Sequence, residues 1–190
     1  MIITISGSPG SGKTAAAKIL AERLHMPFYS VGGLRGKMAR ERGITIDQLN
    51  TIGEQDKTTD TEVDEYQKSL GEKEKDFVIE GRLSWYFIPH SFKIYLTCEP
   101  IEAARRIFEE RRSEATHRKD EIKYDTVGET RKQLDRRIGS DVLRYQRHYG
   151  VDYRDPSRFD LILDTSENTG PDQTVNQILT ALKKMHKIKL

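Results

Sequence analysis

The chain has 190 residues, enough for one compact domain with a buried core. Its 32 basic residues nearly balance 30 acidic ones, for a formal net charge of +2, so bulk charge argues for neither nucleic-acid nor membrane attraction. The lone cysteine, Cys98, excludes an internal disulfide, and no stretch approaches the roughly 18 to 20 apolar residues of a membrane-crossing helix.

Met1 runs directly into the apolar run Ile2–Ser6, which predicts the first strand; with no charged leader before it, the expected setting is soluble and cytoplasmic. Residues Gly7, Ser8, Pro9, Gly10, Ser11, Gly12, Lys13 and Thr14 follow, reading GSPGSGKT, and a helix is expected from about Lys13 to Leu24 with Ala16, Ile19, Leu20 and Leu24 inward. Strand, glycine-rich loop and helix in that order make a phosphate-binding loop for a nucleoside triphosphate. Its amide groups turn inward on the phosphates, and the helix adds the positive end of its dipole. Lys13 reaches the outer phosphates, while the Thr14 hydroxyl is placed to hold a magnesium ion.

Pro27–Ser30 predicts a second strand, and about 31–75 is polar and helical, with a Thr45–Gln48 capping box starting a helix near 46. The third strand, Phe77–Glu80, ends in a carboxylate followed by Gly81 and Arg82. Glu80 is placed to order magnesium or its water shell, or else to cap the loop or hold an arginine; Arg82 is placed to grip a second phosphate bidentately, or else forms a structural ion pair. The fourth strand is Lys93–Thr97, with Cys98 expected as a buried strand-end residue. From about Ser113 to Gly128 the chain is almost without apolar residues, which suggests a solvated flap. Leu161–Asp164 predicts the fifth strand. After Pro171, residues Val175, Ile178, Leu179 and Leu182 mark a last helix with a solvated basic tail. Short apolar strands alternating with helices imply a parallel α/β sheet, its strands buried on both faces.

The acceptor is inferred from charge. Arginines stand at 105, 106, 111, 112 and 118, then at 131, 136, 137, 144 and 147; Arg137, Asp141 and Arg144 share one helical face, and Arg136 and Arg144 do so more loosely. Two or three of these touch ligand, and the rest are solvated or paired. A phosphate acceptor is already ionised and needs cations rather than a base, which favours a nucleoside monophosphate, though Glu80 remains an available base. Asp60 and Asp64, one helical turn apart, either accept from a base amino group or form a solvated acidic face. Trp85, Tyr86 and Phe87 either stack on a base or pack beneath the 31–75 segment, with packing the commoner fate. The five histidines show no metal spacing.

The stretches GSPGSGKTAAAKILAERL, YSVGGLRGKMARERG, DTEVDEYQ, VIEGRLS and RYQRHYGVDYRDPSRFDLILDTS together resemble archaeal-type cytidylate kinase over nearly the whole chain. The resemblance implies a P-loop NTPase of adenylate-kinase-like fold, with a five-stranded parallel sheet in the order 2-3-1-4-5 and helices on both faces. It implies a single domain over 1–190, a monophosphate-binding insertion at about 31–75 and a lid at about 113–128. It further implies transfer of phosphate from ATP to CMP or dCMP; Mg2+ as cofactor, a monomer and no nucleic-acid partner are the accompanying expectations. Residues matching Ser30 and Gly32 open the monophosphate site, Arg82 holds the acceptor phosphate, and Arg136 or Arg137, with Arg144, serves the lid.

Two departures stand out. Family members usually read Ser-Ala-Gly-Asp-Ile-Phe-Arg where this chain has Ser30 to Gly36, so the arginine expected at 36 is a glycine and Arg35 comes one place early. One helical residue turns a side chain by about 100°, so Arg35 substitutes only if the backbone shifts, which two glycines allow. Lys13 stands where many of these kinases have threonine, a more ordinary P-loop. The open alternatives are another small-molecule kinase of this fold, or a nucleotide-gated protein that binds RNA or a protein partner.

Overall fold

The computed structural model describes residues 1–56, 58–113 and 124–188. Five strands, β1 (Ile2–Gly7), β2 (Phe28–Ser30), β3 (Phe77–Glu80), β4 (Phe92–Thr97) and β5 (Leu161–Asp164), form one parallel sheet in the order β2-β3-β1-β4-β5. All five strands stand where the apolar runs placed them, within a residue at each end. Parallel strands need long crossovers, and helices supply them. They are α1 (Lys13–Arg23), α2 (Val31–Glu41), α3 (Ile46–Gln55), α4 (Thr58–Lys73), α5 (Ser84–Phe87), α6 (Pro100–Arg112), α7 (Val127–Tyr149) and α8 (Pro171–Lys184).

Successive side chains of β1 point to opposite faces, and both faces are covered. Ile3 and Ile5 pack with Ala16 and Leu20 of α1 and with Val175, Ile178 and Leu182 of α8. Those four larger α1 and α8 side chains are fully buried, each contributing about 1.5–3 kcal/mol by area. On the other face Ile2, Phe77 and Ile79 meet Leu70 of α4 and Ile88, while Trp85, Tyr95, Tyr145 and Tyr153 form an aromatic cluster beside them. Burial on both faces holds for β1 and β3 but not for the edges. β2 is half-buried, and β5 alternates: Leu161 and Leu163 pack on the core shared with α1 and α8, whereas Ile162, on the opposite face, is 42% exposed.

Between β2 and β3 the helices α2, α3 and α4 carry a small core of their own, built from Met38, Ala39, Leu49 and Val63. The expected capping box is present: Thr45 accepts from the Gln48 amide at 3.1 Å, and the Gln48 side chain accepts from the Thr45 amide at 2.8 Å. Cys98 is buried as expected, and burial pushes its thiol pKa up. Most of the lid expected at about 113–128, including Arg118, lies outside the described residues; its last two residues, Val127 and Gly128, open α7. Among the described residues no helix is long and apolar enough to cross a membrane.

Candidate active site

The carboxyl ends of β1, β2 and β3 converge because of register: Ile5 and Ser30 both pair with Glu80. Open parallel sheets bind ligands beyond these ends, where the strand order reverses. A cavity of about 610 Å³ opens there, within the usual range for small-molecule sites.

One wall is the phosphate-binding loop. Gly10 and Gly12 adopt φ of 76° and 75°, a left-handed conformation that suits glycine. A Cβ on Gly10 would lie 2.6–2.8 Å from Ala103, so α6 packs against the loop itself. The loop is held from behind: the Ser8 amide donates to the Leu96 carbonyl at 3.0 Å, and the Ser11 hydroxyl donates to the Ser8 carbonyl at 2.8 Å. Gly12 caps α1 with no side-chain partner, which leaves the first amides of that helix to an anion. Lys13 and Thr14 line the cavity, with Lys13 Nζ 3.5 Å from the Ser8 carbonyl; Pro9, Gly10 and Gly12 line it too, whereas Gly7, Ser8 and Ser11 shape the loop behind.

The other wall starts at Ser30, which caps α2 by accepting from the Gly33 amide at 2.9 Å and donates its own proton to Glu80 Oε1. Gly32, Arg35, Glu80 and Arg82 line the cavity. Seven arginines and Lys13 line this one cavity with two carboxylates, Glu80 and Glu110, and four of those arginines pair with Asp60, Asp141 or Glu102, which are not in the lining.

Three of those arginines belong to a buried chain of alternating charge. Arg82 Nη1 lies 2.7 Å from Asp141 Oδ2, and Asp141 Oδ1 accepts from Arg144 Nη2 at 3.1 Å. Arg144 Nε stands 3.7 Å from Asp60 Oδ2, and Asp60 Oδ1 pairs with Arg35. Asn50 Oδ1 accepts from Arg35 at 3.1 Å and from Arg144 at 3.4 Å. Burial works against the charge on Arg82, but Asp141 and the flanking tyrosines outweigh it and raise its pKa. The same balance holds for Arg144, whose guanidinium also stacks 4.8 Å from the Tyr145 ring. Three guanidiniums against two carboxylates leave one positive charge in excess. The Nε groups of Arg35, Arg82 and Arg144 are buried without a hydrogen-bond partner, an uncommon arrangement in a folded protein.

The remaining expected residues separate clearly. Arg137 lines the cavity, but Arg136, its neighbour on α7, points to solvent and does not. Asp60 and Asp64 are buried and neither lines the cavity; Asp60 holds arginines, and Asp64 accepts from the Tyr149 hydroxyl at 2.6 Å. Burial and that carboxylate drive the Tyr149 pKa upward. Trp85 sits in the aromatic cluster, 5.7 Å from the Phe159 ring, so packing is its role. Arg105 and Arg131 are paired along their own helices with Glu102, Glu109 and Asp135. Sequence reading missed Asn50 and Arg40, both on the cavity wall. Asn50 carried one usable signal, an amide in mid-helix beside the fully buried Leu49, where asparagine is a poor helix former.

For a divalent cation, the Thr14 hydroxyl and the Glu80 carboxylate share the cavity beside the phosphate loop. No group of three or more metal-binding side chains exists among the described residues. Two oxygen donors without a full cage fit magnesium, which keeps several waters and takes its other ligands from phosphates.

A family model described as the cytidylate kinase-like family matches residues 2–167. The chain is 31% identical over 183 residues to a cytidylate kinase of Methanobrevibacter smithii, covering 96% of this chain and 99% of that one. It is 33% identical over 186 residues to a cytidylate kinase of Methanocella arvoryzae, covering 97% and 99% respectively. Among solved structures, a shikimate kinase from Bacteroides thetaiotaomicron superposes with a TM-score of 0.61 at 17% identity, covering 96% of this chain and 98% of that one; this shows the fold alone.

Proposed function

The chain belongs to the cytidylate kinase-like family, and on that premise we propose that it moves the γ-phosphate of ATP to CMP or dCMP. The observation that carries this reading is a single cavity with a main-chain anion cradle on one wall and a net-positive arginine chain on the other.

Loop amides and the α1 dipole hold the donor phosphates, with Lys13 as the cation nearest the transferred group. Ser30, Gly32, Arg35 and Arg82 receive the monophosphate, and Arg137 and Arg144 face the same space. Two polyanions approach one another only if their repulsion is offset, and the guanidiniums supply that without removing a proton from the acceptor. Asp60 serves here by holding Arg35 and Arg144. Thr14 and Glu80 are the residues that hold Mg2+, which when bound draws charge from the phosphate oxygens.

A coupled assay across CMP, dCMP, UMP, AMP and GMP tests the reading. Acceptor-dependent ADP release should be fastest with the two cytidine nucleotides; release that ignores all five acceptors would overturn it.

A further inference from the structure

We propose that Asn50 is a positioning residue for the acceptor: its side-chain oxygen keeps the guanidiniums of Arg35 and Arg144 side by side on the monophosphate wall. The inference rests on the reading of that wall as the monophosphate site.

An amide oxygen has two lone pairs, and here each is taken by a guanidinium from a different element: Arg35 of α2 at 3.1 Å and Arg144 of α7 at 3.4 Å. The opposite amide orientation would face an NH2 group against two cations, so the side chain has one orientation. Asn50 is only 8% exposed, and α3 is anchored beside it by the fully buried Leu49. The oxygen is thus a fixed point, whereas free arginine side chains lose considerable rotamer entropy when a ligand immobilises them.

Neutrality at position 50 matters as much as the oxygen. Asp60 already touches both guanidiniums, and with Asp141 it brings the count to two carboxylates for three arginines. An aspartate at 50 would hold the same two groups but cancel the excess positive charge that a phosphate dianion meets. An asparagine tethers without neutralising. This explains why an uncharged acceptor stands at the junction of two charged partners.

The test is a double-mutant cycle on equilibrium binding of CMP and of ATP by titration calorimetry, with melting curves to verify folding. Asn50→Leu should weaken CMP binding about tenfold, the usual effect of losing a hydrogen bond to a charged group, and change ATP binding less than about twofold. In an Arg35→Met background the same replacement should matter less than about twofold, because the group it positions is gone. Asn50→Asp, the second variant, keeps an oxygen in a side chain of the same size and should weaken CMP binding and leave ATP binding unchanged. Unaltered CMP binding in Asn50→Leu and Asn50→Asp, or full multiplication of effects in the double variant, overturns the proposal. If the unmodified chain binds no monophosphate, the substrate reading itself falls, a result distinct from binding that ignores position 50.

Discussion

Arg82 carries a permanent charge at the end of an apolar strand, its side chain only 13% exposed, with Asp141 at 2.7 Å and the Tyr153 ring 5.7 Å away. A buried charge is stable only when paired, yet a phosphate ligand must keep part of its fork for the anion. Asp141 supplies that pairing through one nitrogen of Arg82, and the Arg82 side chain still lines the cavity. Lysine offers the same charge from a single point, so Arg82→Lys should lower kcat/KM for the monophosphate about 10- to 100-fold while changing the KM for ATP little, as steady-state kinetics with each substrate varied will read. Ser30 works in the same economical way, since one hydroxyl both caps α2 and fixes the Glu80 carboxylate.

The elements put these groups in place by local rules that are visible in the chain. The P-loop needs left-handed backbone at Gly10 and Gly12, but the two glycines differ in what surrounds them. A methyl group on Gly10 collides with Ala103, whereas one on Gly12 meets nothing within 4 Å. Gly12→Ala should therefore cost only the backbone strain, about 1–2 kcal/mol, while Gly10→Ala costs more because α6 must also move; urea denaturation of the two variants measures the difference. α7 shows the same division of labour along one helix. Its buried face places Leu134, Asp141, Arg144 and Tyr145 inward, while Arg136, a single residue from the cavity-lining Arg137, is left in water.

On the scale of the molecule, the arginine chain joins parts that the sheet alone would leave independent: α2, α3 and α4 on one side, α7 on another, and the end of β3 between them. Ligands that bind this junction stabilise all of it. At 100 times its dissociation constant a ligand adds about 2.7 kcal/mol, which for a domain of this size raises Tm by about 5–10 °C. Thermal melting should show that rise for CMP with or without magnesium, because its wall is built of arginines. For ATP the rise should shrink when magnesium is chelated, because Thr14 and Glu80 are too few to replace the ion.

Strands, the phosphate loop, the α3 cap and both helices of the α1–α8 layer were legible in the sequence, since each depends on residues a few positions apart and on periodicities of 2.0 or 3.6. The family was legible as well, because its motifs run through most of the chain. What the sequence left undecided was which of the arginines meet, and around what. Arg144 and Asn50 are 94 positions apart, and Tyr149 and Asp64 are 85 apart. Spacing along a chain carries no record of such pairings; they exist only after the sheet has brought the helix ends together, and packing then chose Arg137 over Arg136 and set an uncharged amide between two cations.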